Sequence, residues 1–229
     1  MCRPVPCWSL ILREMIKIAK GQEPAEWTII KNTPGIDYDS ADKSALRQAL
    51  FKEQGGICGY CMRRINVAAG EVTDTRIEHL KPRTISLAEN NVAETLYYGN
   101  MILCCDGDID NDGNVHCDNS KGEQPISFTP FDVAAINTIS YSSKDGKIKS
   151  SNSQYDKELD KVLNLNHTRL AGNRKAVIDG LIVAMGKGTW RKSDIEHKID
   201  YFRNRTSKGL LRPYCGVAIW FLEKRLKQY

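Results

Sequence analysis

No run of residues in this chain approaches the ~20 consecutive apolar positions that a membrane-spanning helix needs, so no membrane partner is expected. Internal repeats and low-complexity tracts are also missing, which argues against a solenoid or a disordered linker. Neither sign of charge dominates: 33 Lys and Arg face 28 Asp and Glu, a formal net charge of +5. The start is mildly apolar (Pro4, Cys7, Trp8, Leu10 to Leu12), but no small-residue cleavage site follows it, so it does not read as a secretory signal peptide. Residues 1–14 are expected to be a non-native or loosely attached extension, with Met15 as the natural start. Without a secretory signal, the clustering of the 8 cysteines, a CxxC with a cysteine pair downstream, reads as metal binding in a reducing cytoplasm rather than as a disulfide framework, while Cys2, Cys7 and Cys215 carry no partner signal.

What is present suits a globular protein of one or two domains: 229 residues, 41% hydrophobic and 27% charged. Charge is unevenly spread. Residues 151–229 hold 16 basic and 8 acidic side chains, against 17 and 20 in residues 1–150. A basic segment of that kind suits a polyanion or a solvated helix face. The patterning predicts an α+β, mainly helical chain. Pro24 to Tyr38 reads as an extended arm, and a helix capped at Ser40 or Asp42 runs through Leu46 and Leu50 to Gly55-Gly56. Short strands are expected over Thr73 to Leu80 and Gly99 to Cys105, and Asp145-Gly146 signals a two-residue hairpin turn between Ile136–Tyr141 and Lys147–Lys149. Beyond Tyr155 the period is helical. The organisation read from this is an arm and helix over 15–56, a metal-binding core over 57–130, and a hairpin with basic helices over 131–229.

Chemistry concentrates in the core. Cys58-Gly59-Tyr60-Cys61 is a CxxC knuckle whose two sulfurs can reach one ion, and Cys104-Cys105 and Cys117 follow downstream. Alternation along a strand lets only one of Cys104 and Cys105 face that ion easily. Asp108, Asp110, Asp112 and Gly113 begin like an EF-hand loop, but the twelfth position is Asn119 rather than Glu, which argues against calcium. Between the cysteines stand Glu78-His79 and Asn100. A carboxylate beside a histidine can divide the work between a hard divalent ion and a proton.

This order, knuckle, Glu78-His79, Asn100, Cys105 and then Cys117-Asp118-Asn119-Ser120-Lys121-Gly122, resembles the HNH nuclease superfamily. The resemblance implies a ββα-metal finger stapled by structural Zn²⁺ on Cys58, Cys61, Cys105 and Cys117, the superfamily spacing favouring Cys105 over Cys104. It implies His79 as general base, Asn100 as the residue orienting the histidine loop, and Glu78 with Asp118 as ligands of a catalytic Mg²⁺ or Mn²⁺, Asn119 being the alternative to Asp118. Lys121, Lys81 and Arg83 are then expected at the phosphate.

A narrower resemblance runs through Met15-Ile16-Lys17-Ile18, Gly21 to Pro24, Thr33-Pro34-Gly35, Leu46-Arg47-Gln48-Ala49-Leu50, Cys61-Met62-Arg63-Arg64-Ile65 and Ile77-Glu78-His79-Leu80-Lys81-Pro82-Arg83. These segments are similar to the HNH subunit of Septu-type anti-phage systems, including retron-associated ones. That implies an ABC-type ATPase partner and, in the retron versions, a reverse transcriptase with its RNA–DNA hybrid. Arg169, Arg174, Lys175, Arg203 and Arg205 would hold substrate or partner. The rival reading is a non-catalytic zinc-stabilised nucleic-acid-binding module, which leaves Glu78-His79 and Asn100 unexplained. A thiol redox protein is weaker still, because no thioredoxin-like βαβ pattern surrounds the knuckle.

Overall fold

A computed structural model describes residues 17–68, 70–107, 113–186 and 188–229. The expected extension over 1–14, the start at Met15 and the acidic positions 108–112 lie outside the described residues. Among the described residues, the fold mixes helices with three two-stranded antiparallel sheets. Among the described residues, no helix is long and apolar enough to cross a membrane.

The arm is not extended throughout. Helix α1 (Ala25–Lys31) starts after Pro24, whose φ of -61° suits a helix entry. Trp27 sets it in place, fully buried and donating its indole N–H to the Leu96 carbonyl at 3.1 Å. One anchoring tryptophan leaves little periodicity to read, which is why the sequence suggested a loop. Helix α2 (Ser44–Glu53) buries Leu46 and Leu50 as expected, but its N-cap is Lys43, without a side-chain cap, rather than Ser40 or Asp42; Asp42, one residue earlier, accepts the Ser44 N–H at 2.9 Å.

Strands β1 (Val67–Ala68) and β2 (Glu71–Val72) form a small hairpin before β3 (Thr75–His79). Helices α3 (Arg83–Ala88) and α4 (Val92–Thr95) then lead to a single 3-10 turn over 98–100 and into β4 (Met101–Cys105). Strand β4 pairs antiparallel with β3, Glu78 opposite Ile102 and His79 opposite Met101. Every residue of β4 is buried. Met101 and Leu103 join a core with Trp27, Leu46 and Leu50, while Ile102 and Cys104 join the core of the C-terminal helices. A strand covered on both faces reads as a continuous apolar run, as Met101-Ile102-Leu103 does.

The short α5 (Asp118–Lys121) and α6 (Val133–Ile136) precede the hairpin β5 (Ile139–Tyr141) and β6 (Ile148–Ser150). Ile136 thus ends a helix rather than starting a strand. The hairpin turn is longer than the two-residue turn expected from Asp145-Gly146. Ser142 N–H bonds the Lys147 carbonyl and Gly146 N–H bonds the Ser142 carbonyl, leaving 143–146 as the loop. Tertiary packing decides this. Gly146, at φ +71°, lies so close to α8 (Thr168–Met185) that a Cβ would sit 2.0 Å from the Ala171 carbonyl oxygen. Arg174 of α8 grips the same loop, donating to Gly146 O and Leu165 O at 2.6 Å each.

Helix α7 (Ser153–Lys157) runs into a π-helical turn over 158–162, and α9 (Lys192–Arg203) and α10 (Cys215–Leu226) complete the chain. Helix α10 packs on α8, α9 and β5, with Val217, Trp220, Phe221 and Leu222 buried. The C-terminal cations expected on substrate or partner are mostly occupied. Arg174 is buried, Lys175 pairs with Asp179, Arg203 pairs with Glu223, and Arg205 caps the backbone of Lys52 and Glu53.

Candidate functional site

The knuckle folds on its own backbone: Met62 N–H bonds Cys58 O at 3.0 Å, and Cys58 N–H bonds Arg63 O at 2.9 Å. This aims Cys58 and Cys61 toward the end of β4, where Cys105 stands. Cys117 arrives from far along the chain with φ 59°, held by its N–H on Leu163 O at 2.9 Å in the segment following the π-helical turn. The four sulfurs lie within 4.8 Å of one another and all four residues are buried. Sγ distances are 3.9 Å for Cys58–Cys117 and 3.8 Å for Cys61–Cys105. A tetrahedron with Zn–S of ~2.3 Å has edges of about 3.8 Å, so donor chemistry and spacing both fit zinc. Cys104 is buried beside Cys58 but outside the four-sulfur group.

Burial opposes ionisation of Cys58, yet hydrogen bonds from Cys104, Cys105, Cys117 and Cys61 outweigh it and push its thiol well down. Burial pushes the Cys117 thiol up. Holding all four as thiolates therefore takes a cation. His116, fully buried and not anticipated from sequence, places Nδ1 3.2 Å from Cys117 Sγ, where an imidazole N–H supports the thiolate.

Strand β3 delivers Glu78 and His79 to a cleft of ≈ 400 Å³. Just beyond it, Asn100 clamps the chain: its Oδ1 accepts Lys81 N–H at 2.8 Å and its Nδ2 donates to Lys81 O at 3.0 Å. Asn100→Ala leaves both backbone groups without that partner, which costs about 2 kcal/mol. A drop of roughly 4–8 °C in melting temperature is expected, and a melt within a degree of wild type would exclude the clamp as a stabilising element.

His79 is buried, with Nε2 2.9 Å from the Thr95 carbonyl oxygen. A carbonyl only accepts, so this bond puts the proton on Nε2 and leaves the lone pair on Nδ1. Burial lowers its pKa to about 4, the Thr95 bond opposing, so the ring is neutral at physiological pH. An unfolded imidazole titrates at 6.5, so between 6.5 and 4 the unfolded chain binds the proton more readily. The His79 contribution is thus fully present above pH 6.5 and falls by about 3 kcal/mol as pH drops to 4. The gap in melting temperature between wild type and His79→Ala should narrow over that window. A constant gap would mean an imidazole that titrates normally.

Glu78 is also buried. Its Oε1 accepts the Tyr60 hydroxyl at 2.8 Å and lies 2.9 Å from Lys121 Nζ, and its carboxyl is hydrogen-bonded to that of Asp118. Burial raises the Glu78 pKa to about 8, with Asp118 adding to the shift and Lys121 opposing it. Two carboxyls held together by a proton form a place a hard cation fits, and oxygen donors suit Mg²⁺ or Mn²⁺. Lys43, Arg47, Arg76 and Arg83 ring these carboxylates in the cleft, with Tyr38 set edge-on to His79 at 4.5 Å. Arg47 is tied to Thr75 and Arg83 to Asp39. Arg76 is half exposed, and its carboxylate contact among the described residues is Asp118 at 3.8 Å.

Of the three residues expected at a phosphate, Lys121 and Lys81 do not line this cleft. Lys121 is 1% exposed beneath Glu78, where burial beside a carboxylate makes it a counter-ion. Lys81 pairs with Glu89 and lines a different groove. Arg83 and Asn119 do line the cleft. Sequence reasoning missed Tyr38, Arg47, Arg76, Tyr60 and Thr95. A local signal existed for two: Tyr60 lies between the knuckle cysteines, and Arg76 shares a strand face with Glu78. No protein-family profile, curated protein or solved structure matches the chain.

Proposed function

We propose that this chain is a metal-dependent HNH endonuclease that hydrolyses phosphodiester bonds of DNA, or of RNA such as tRNA. The observation that carries the reading is that His79 and the Glu78–Asp118 carboxylate pair line one cation-lined cleft. A neutral imidazole with a free lone pair is the right acceptor for a proton from an attacking water. The Thr95 carbonyl holds Nε2–H and stabilises the imidazolium formed by that transfer. Asn100 keeps the histidine loop in register, and Arg76 meets the negative charge that grows on the phosphate. Glu78 and Asp118 would hold the divalent ion, whose chemistry is to stabilise the leaving 3′ oxygen. Lys121 acts within this scheme as the buried counter-ion of Glu78.

The β3–β4 pair and α5, joined through the cysteine centre, correspond in this reading to the ββα-metal finger. The segments quoted above from Met15 to Arg83 carry the proposal further, to the toxic effector of a cytoplasmic Septu-type or retron-associated anti-phage system. There it would be restrained by an ABC-type ATPase and, in retron forms, by a reverse transcriptase with its RNA–DNA hybrid. The test is cleavage of plasmid DNA and total tRNA in Mg²⁺ or Mn²⁺, with and without co-purifying partners, against His79→Ala. Cleavage lost in the variant supports the nuclease and names its substrate. No cleavage by either chain, with partners present and zinc retained, favours the non-catalytic binding module.

A further inference from the structure

Tyr60 sits between two of the four cysteines, yet its hydroxyl points away from them. It donates to Glu78 Oε1 at 2.8 Å, and the tyrosine and the glutamate are 1% and 3% exposed. A buried phenol hydroxyl needs an acceptor, and here that acceptor is a carboxylate. The ring has little freedom to move. Gly59 N–H bonds Leu103 O at 2.9 Å, and a Cβ on Gly59 would meet Ile102 Cδ1 at 2.8 Å, so the knuckle lies directly on β4. Glu78, by contrast, carries three side-chain torsions on a strand and needs its far end fixed. Tyr60 and Lys121 both hold Oε1, which leaves Oε2 clear of these two contacts.

We propose that Tyr60 is a positioning residue through which the cysteine centre sets the orientation of Glu78 for divalent-ion binding. The inference rests on the nuclease reading, since it assigns Glu78 to the ion. It makes the cysteine centre part of the active-site geometry as well as a staple.

The test uses the full zinc-loaded chain and Mn²⁺ alone, with affinity read by electron paramagnetic resonance. Tyr60→Phe should keep its zinc content and the thiolate absorption of its cobalt-substituted form. Its Mn²⁺ affinity should weaken about 10–100-fold, as for other residues that orient a metal ligand. Excess Mn²⁺ should restore part of the cleavage. Glu78→Gln should lose the Mn²⁺ site altogether. Unchanged affinity in Tyr60→Phe, with the site lost in Glu78→Gln, overturns the role of Tyr60 and leaves the nuclease reading standing. A wild-type chain with no Glu78-dependent Mn²⁺ site overturns both. Should Tyr60→Phe fail to fold, wild-type protein ¹³C-labelled at tyrosine Cζ decides. Mg²⁺ should shift the resonance of the carboxylate-bonded tyrosine with the midpoint of ion binding, and a resonance that stays put overturns the proposal.

Discussion

If the four cysteines hold zinc, as their spacing suits, then chelation, or replacing any one of Cys58, Cys61, Cys105 and Cys117 with serine, should lower the melting temperature by more than about 10 °C. The centre joins three segments far apart in the chain: the knuckle, the end of β4, and Cys117 with its positive φ. Structural zinc sites contribute ~10–16 kcal/mol in small fingers, comparable with the ~5–15 kcal/mol that stabilises a whole domain. Helices α8 to α10 share one buried core with the four cysteines, so their helical circular dichroism should melt together with the centre at the lowered temperature. The amides of Cys58, Gly59 and Cys117 should lose their protection from hydrogen exchange. Cys104→Ser is the control, because it buries one hydroxyl and removes no ligand, at a cost of about 1–3 kcal/mol. Equal losses from Cys104→Ser and Cys105→Ser would sink the assignment of the fourth sulfur.

On the proposed nuclease reading, His79→Ala should lower the cleavage rate by about 10²–10⁴-fold, the usual contribution of a positioned general base. In barrier terms this is roughly 3–5 kcal/mol. The loss should fall on the rate constant, with Mn²⁺ affinity and zinc content near wild type, because neither ligand set includes the imidazole. Parallel kinetics on plasmid and tRNA, with metal content measured on the same samples, check this. A variant that cleaves as fast as wild type would show that the base is another group.

Much of this site was legible because its signals are local. Two residues between Cys58 and Cys61 let two sulfurs reach one ion, a spacing readable from the chain alone. The apolar run of β4, ahead of Cys104-Cys105, is what a strand covered on both faces looks like in sequence, and α2 follows from the spacing of its buried leucines. Where local signals conflicted or were thin, tertiary contacts decided. One buried tryptophan turned part of the expected arm into α1. The close approach of α8 lengthened the turn at Gly146.

The sequence by itself determined which residue types could do chemistry and in what order they come: four thiols, a carboxylate-histidine pair, an asparagine and a second carboxylate. Spacing and periodicity are properties of the chain, readable before it folds. The tertiary structure placed Cys105, which the superfamily spacing favours over Cys104, with the other three cysteines. It buried Lys121 beneath Glu78 and turned Lys81 away from the cleft. It also brought the Thr95 carbonyl to His79, Arg47 of α2 to the cleft wall, and the Tyr60 hydroxyl to Glu78. These are contacts between segments far apart in the chain, and their partners are set by how the two cores pack around β4, a quantity that no local window of sequence contains.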